Sequence, residues 1–192
     1  DDAFYKCMET MDEAAVAYAV KRLGIINRFY SVYMNLVLAD THGKIIACSQ
    51  PHKYPRVIGA QINSLPWFRG AMGTRSGDEY VVDDIYQDAL HDDALVSVYA
   101  TAVRRGGEVN GEIIGVIGVV FDWPEQSRVI VRNEPNLSED EWSRSRVLLL
   151  DSKNRIIAAS DSQDLLQTFP LQNAGQSKGC YRDQNGRLVA FA

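Results

Sequence analysis

Cysteine is scarce and odd in number, with Cys7, Cys48 and Cys180 spread across 192 residues. That excludes a disulfide framework and offers no zinc-ligand spacing; the three thiols read as small buried apolar groups. Positive charge is also in short supply. A formal net charge of −5 argues against a wide contact with nucleic acid phosphates, so no nucleic acid partner is expected. No apolar run reaches the roughly 18 to 20 residues that span a bilayer, and the opening "DDAFYKCMET" lacks the order of a signal peptide. Catalytic signatures are missing too. There is no G-x-S-x-G elbow, P-loop or H-E-x-x-H. Asp83, Asp84, Asp92 and Asp93 lack the spacing and glycine of a calcium loop. No enzyme, metal or cofactor is expected from these residues.

What is present is a hydrophobic fraction of 46% with 23% charge, enough apolar material for a core. "LVLADTHGKIIACSQ" at 36–50 returns as "VLLLDSKNRIIAASD" at 147–161, a separation of 111 residues. Asp40 falls on Asp151, Ile45 and Ile46 on Ile156 and Ile157, and Ser49 on Ser160. Each copy is an apolar run, a polar turn and a second apolar run, the pattern of a hairpin.

Before the first copy, Met8, Met11, Ala15, Tyr18, Ala19, Arg22 and Ile26 return at steps of three or four, which predicts one amphipathic helix over 1–28. After it, the breakers Pro51, Pro55, Gly59, Pro66, Gly70, Gly73 and Gly77 leave only loops and a short helix at "PWFRGAMG". "EYVVDDIY" then reads as a strand, and "ALVSVYATAVRR" with "EIIGVIGVVFDW" as a long hairpin. Along its first arm Val96, Val98, Ala100 and Ala102 face one way, and Ser97, Tyr99 and Thr101 the other. A connector follows over 124–145, with Ser138 and Glu141 spaced as a capping box.

The predicted fold class is α+β: an N-terminal helix, a first unit over 29–123 with an antiparallel five-stranded sheet and helical crossover, the connector, and a second, incomplete unit over 146–192. A last strand, "RLVAFA", with nothing after it suggests a piece excised from a longer protein.

The order of these features resembles the double Cache sensor domains of bacterial chemoreceptors, sensor kinases and diguanylate cyclases. The likeness covers the whole chain: "DTHGKII" and "DSKNRII" are similar to the D-x-x-G-x-[IV]-[IV] turn that opens each PAS-like unit, "LPWFRGAM" to the family's tryptophan-bearing helix start, "DIYQD" to its Y-x-D strand end, and "GEIIGVIGVV" to its final strand. The resemblance implies a small-molecule ligand in the first, membrane-distal unit. It also implies, for the amino-acid-binding branch, an arginine and aromatics beside that tryptophan and a late aspartate; of the family's positions Trp67, Tyr86 and Asp88 match here. Leu65 stands in place of the carboxylate-gripping arginine, Phe68 of a hydroxylated aromatic, and Val120 of a late aspartate. Without those charge-assisted anchors, an organic acid is expected ahead of an amino acid.

Three further residues are candidates for the ligand site. Arg69, beside Phe68, would grip an acid if the helical turn brings it inward; otherwise it faces solvent. His91 in "QDALHDD" would touch a ligand or respond to pH, unless it is a solvated loop residue. Tyr99 would offer a ring and a hydroxyl, unless it is a core tyrosine. Tyr54 and Arg56 are placed at the pocket mouth or on the loop surface. The resemblance further implies a periplasmic domain, a homodimeric receptor and an output domain outside this chain. The unpaired cysteines suit a reducing compartment, so a cytoplasmic location is the alternative. A ligand-free dimerisation or docking module is the alternative function.

Overall fold

The computed structural model describes residues 2–133 and 136–192. Asp1 of the expected N-terminal helix and Glu134 and Pro135 of the expected connector lie outside the described residues. The chain divides into two compact units, 1–130 and 131–192.

The first unit opens with two helices where the sequence predicts one. Helix α1 spans Asp2–Thr10 and α2 spans Glu13–Phe29. The apolar period runs through the join, but Met11 takes a left-handed conformation with φ 51°, and the Asp12 side chain accepts from the Ala15 amide at 2.8 Å. A capping aspartate satisfies an amide that would otherwise lack a partner, so it starts a helix where periodicity alone would continue one.

The sheet of this unit contains β1 (Tyr33–Asp40), β2 (Ile45–Cys48), β3 (Val81–Val82), β4 (Tyr86–Asp88), β5 (Ala94–Arg104) and β6 (Ile113–Asp122). Its order is β2-β1-β6-β5-β3, with β4 also on β5, and every pairing is antiparallel. The strand expected from "EYVVDDIY" is therefore split. Val81 pairs with Ala100 and Tyr86 with Val96, and Asp83 to Ile85 lie between the two short pieces.

Strand alternation divides the core. From β1, Val37 and Ala39 face a cluster with Val96, Val98, Ala100, Val116 and Val120, covered by the crossover residues Tyr54, Val57, Ile62, Trp67, Phe68 and Ala71. Leu36 and Leu38 face the other way, onto Cys7, Met8, Ala19 and Leu23 of the two helices. A strand buried on both faces reads as a continuous apolar run, which is the pattern of "LVLA".

β6 lies in the middle and carries a glycine toward each layer. A methyl group on Gly118 would stand 3.1 Å from the Trp67 ring, and one on Gly115 would stand 2.7 Å from the Met8 sulfur. Both neighbours lie directly on the strand backbone because those side chains are absent.

In the connector, α4 spans Trp123–Asn133 and α5 spans Glu139–Arg144, so the expected segment is two helices. Ser138 and Glu141 form the capping box the sequence predicts. The second unit holds two separate two-stranded ladders, β7 (Leu148–Leu150) with β8 (Ile156–Ala159) and β9 (Gly179–Arg182) with β10 (Leu188–Phe191). It is not a single five-stranded sheet among the described residues. Its strands are short, and Leu188 is exposed.

The doubled stretch is a doubled set of hydrogen bonds. Asp40 Oδ1 accepts from the amides of His42 and Lys44, both at 2.9 Å; Asp151 Oδ1 accepts from Lys153 and Arg155 at 2.8 and 2.9 Å. The Ser49 hydroxyl oxygen accepts from Leu36 N, as that of Ser160 does from Val147 N. The left-handed turn position is Gly43 in one copy and Asn154 in the other. A third copy went unnoticed in the sequence: Asp183 Oδ1 accepts from Asn185 and Arg187 at 2.9 and 2.8 Å, with Gly186 left-handed. An aspartate that closes its own turn makes the hairpin locally self-sufficient.

Candidate functional site

The crossover side of the first sheet gathers the polar residues that could meet a ligand. Helix α3 (Pro66–Met72) begins on Pro66, whose fixed φ suits a first helical position. The next two residues, Trp67 and Phe68, are buried against the sheet. Trp67 Nε1 donates to the Tyr86 hydroxyl at 3.3 Å. Burial, followed by the nearby Asp88 charge, pushes the Tyr86 phenol well above its ordinary value. Tyr86 therefore stays neutral and keeps an O–H to donate.

Tyr86 and Asp88 project from the same face of β4, opposite Val96 and Ala94. Asp88 then caps a short 3-10 turn, accepting from Leu90 N at 3.0 Å, and its other oxygen meets His91 Nδ1 at 2.7 Å. The remaining His91 nitrogen, Nε2, lies 3.0 Å from Asn35 Nδ2. The Tyr54 ring stands edge-on to the imidazole with centroids 4.7 Å apart. His91 and Tyr54 are 3% and 5% exposed, so the solvated-loop reading of His91 and the loop-surface reading of Tyr54 are corrected. Arg56 is exposed and pairs with Asp92 at 3.0 Å.

Asn35 was missed in the sequence, although an amide inside the apolar run "YMNLVLA" signals a buried partner. Its Oδ1 accepts from Ser49 N, Ser49 Oγ and Gln50 N at 3.2, 2.8 and 3.3 Å. Gln50 Nε2 donates in turn to Asn27 Oδ1 of α2 at 2.8 Å. Asn27 Nδ2 donates to Tyr33 O at 2.9 Å. A hydrogen-bonded series thus runs from Asp88 under the crossover, through His91, Asn35 and Gln50, to the helix on the far side of the sheet.

Four of the six sequence candidates, Trp67, Tyr86, Asp88 and His91, lie on this side. Arg69 and Tyr99 do not join them. Arg69 is exposed on α3. Tyr99 is on the opposite face of β5 from Val98 and Ala100, where its ring lies 4.9 Å from Phe121 and 6.1 Å from Tyr80. Alternation separates two faces correctly but does not say which one the crossover will cover. Leu65, Phe68 and Val120, which depart from the family pattern, contribute to the apolar lining beneath the crossover.

Neither a family model nor a curated protein matches the chain. Solved structures do. The chain aligns over 96% of its length with 74% of the sensor domain of the V. cholerae histidine kinase DctB, with a TM-score of 0.70 and 16% identity. The fold is that of a Cache-type sensor domain. Two further structures share this Cache-type fold. One is the ligand-binding domain of the Pseudomonas fluorescens chemoreceptor CtaA in complex with L-serine, with 97% of this chain and 74% of that one covered, a TM-score of 0.60 and 17% identity. The other is the ligand-binding domain of the Pseudomonas aeruginosa amino acid chemoreceptor PctC in complex with GABA, with 95% and 75% covered, a TM-score of 0.62 and 16% identity. At such identities the Cache-type likeness is one of fold, and the site must be read from the residues. No described helix is long and apolar enough to cross a membrane.

Proposed function

We propose that this chain is the small-molecule-sensing part of a bacterial signal-transduction receptor, with the ligand taken between the first sheet and its crossover. The observation that carries the reading is the convergence of the Trp67–Tyr86 and Asp88–His91 pairs on one side of the sheet, the second pair joined through Asn35 and Gln50 to α2. A ligand that prefers one arrangement of the crossover would bias that series and the helix it reaches, as coupling requires differential affinity for two states. The domain is periplasmic in this proposal, the receptor is a homodimer, and the output lies outside the chain.

The organic-acid expectation is revised. It depended on Arg69 turning inward, and an exposed Arg69 leaves an acid without a cation beside Trp67. The groups available there are the Tyr86 hydroxyl and the spare lone pairs of Asp88. They suit a small uncharged or amine-bearing molecule. L-serine and GABA, bound by two neighbours of the same fold, both carry an amine. Leu65 in place of an arginine disfavours tight binding of the carboxylate that accompanies it.

A thermal-shift screen of amines, amino acids, small carboxylates and nucleobases tests the proposal. Ligand at 100 times its Kd stabilises by about 2.7 kcal/mol, several degrees in Tm for a chain of this size. The shift should vanish in Asp88→Asn and Trp67→Ala. No shift with any compound, or one untouched by both substitutions, overturns it.

A ligand-free docking module is the second reading. Phe29 at 80% exposure, with Tyr18 and Tyr30 at 53% each, favours a protein contact along α2. Sedimentation across a concentration series decides this: self-association lost in Phe29→Ser supports it, and a monomer at all concentrations removes the homodimeric form.

A further inference from the structure

The face of the first sheet that carries the two helices is covered unevenly. Helix α2 lies on Leu36 and Leu38 of β1 and Ala47 of β2, and α1 lies by Val103 and Ile114 at the hairpin end of β5 and β6. Tyr99 of β5 is on this same face and is 37% exposed, and Tyr80 and Val82 beside it are 66% and 51% exposed. Val82 pairs with Tyr99, and the Tyr80 ring stacks on the Tyr99 ring. At about 4.8 Å per strand spacing, the run β2-β1-β6-β5-β3 is about 20 Å wide. A helix about 10 Å across covers about two of those strands. The strip over β5 and β3 has the width of one more.

Charge points to what fills it. Helix α2 turns Ala19, Leu23 and Asn27 inward. On its other side Tyr18, Lys21, Ile25 and Arg28 return at steps of three and four, with Phe29 next to them. Glu13 is the one acid of α2 and sits at its start, so the outward face is aromatic and basic. The strip is aromatic and acidic, because Tyr80 and Val82 are flanked by Asp78, Glu79, Asp83 and Asp84. One chain thus carries two surfaces that complement each other but cannot meet within it, since α2 is already seated on β1 and β2.

We infer that the strip over β5 and β3 takes the α2 helix of a second copy of this chain, each copy laying its helix on the other's sheet. Such a contact is isologous, because the helix face of one copy meets the strip of its partner twice over. Tyr80 and Tyr99 on the sheet, with Tyr18 and Phe29 on the helix, are of the types enriched in interface cores. Pairing α2 with the α2 of a second copy would instead set Lys21 and Arg28 against like charge, which is costly. The contact rests on the homodimeric form proposed above, and no ligand takes part in it.

Sedimentation of two charge-reversed chains tests the inference. Lys21→Glu with Arg28→Glu gives α2 an acidic outward face while the strip stays acidic. Asp78→Lys, Glu79→Lys and Asp84→Lys together give a basic strip while α2 stays basic. All five side chains are exposed, so thermal melts by circular dichroism should keep a folded transition. Each reversed chain alone should self-associate about tenfold or more weakly than the unaltered chain. An equimolar mixture should recover the association, since both contacts are attractive again in the mixed pair. Tyr99→Ser should weaken the unaltered contact to a similar degree. If the chain with the reversed strip self-associates like the unaltered one, or the mixture recovers nothing, the inference is overturned and the homodimer stands on another surface. A chain that is monomeric at all concentrations overturns both.

Discussion

Asn35 Nδ2 and His91 Nε2 are 3.0 Å apart inside the first unit, and the contact fixes the proton on the imidazole. Asn35 Oδ1 is already occupied by Ser49 and Gln50 donors, so the group facing His91 is the amide nitrogen, which only donates. Nε2 must then accept. The proton sits on Nδ1 and is donated to Asp88.

The first prediction follows from that assignment. Nitrogen chemical shifts of His91 should report the neutral Nδ1–H form. Asn35→Leu removes the donor to His91 and the acceptor for Ser49 Oγ and Gln50 N, and should cost about 3 kcal/mol in urea unfolding. A cost below about 0.5 kcal/mol would show that these bonds are not maintained in solution.

Tyr86→Phe leaves the Trp67 indole N–H without its acceptor. We expect a loss of about 1–2 kcal/mol and an upfield move of the Trp67 indole proton in the NMR spectrum. An unmoved indole signal would place the 3.3 Å contact outside the solution structure.

The thiols should divide by burial. Cys7 and Cys48 are fully buried and burial pushes both thiols above their ordinary value, whereas Cys180 is exposed. Only the thiolate reacts. A disulfide reagent should modify one cysteine quickly and the other two only in denaturant. Rapid reaction of more than one in the native chain contradicts the packing of the helices or of β2.

Asp12 gives a pH dependence. The Ala15 amide, and then the Thr10 hydroxyl, hold its carboxyl below the usual value. A folded pKa below the unfolded one means that its contribution is present above the unfolded value and is lost as pH falls through the folded one. The start of α2 should therefore fray as pH drops from about 5 towards 2, seen as faster amide exchange at Ala15. Asn also caps helices, so Asp12→Asn should flatten that dependence at Ala15.

These residues also show what was legible in the sequence. The two hairpins and the faces of β5 could be read because alternation and turn chemistry are local. The helix break at Met11 was hidden, since Met8, Met11 and Ala15 keep a helical period across it, although Asp12 was there to be read as a cap. His91 is buried against Asn35, 56 residues away, and no local pattern carries such a pairing. Tyr99 was read on its correct face of β5, yet it does not join Trp67 and Tyr86, because topology, and not period, decides which layer covers which face. The third aspartate turn was available in "DQNGR" but lacks the surrounding apolar runs that made the other two stand out.

Gly115 and Gly118 make β6 a partition only one backbone thick at those points. Side chains usually absorb a push by changing rotamer, and here none intervenes between Trp67 or Met8 and the main chain. A displacement of the tryptophan would be felt by the peptide units themselves, so the strand would act as a stiff diaphragm between the crossover and the helices.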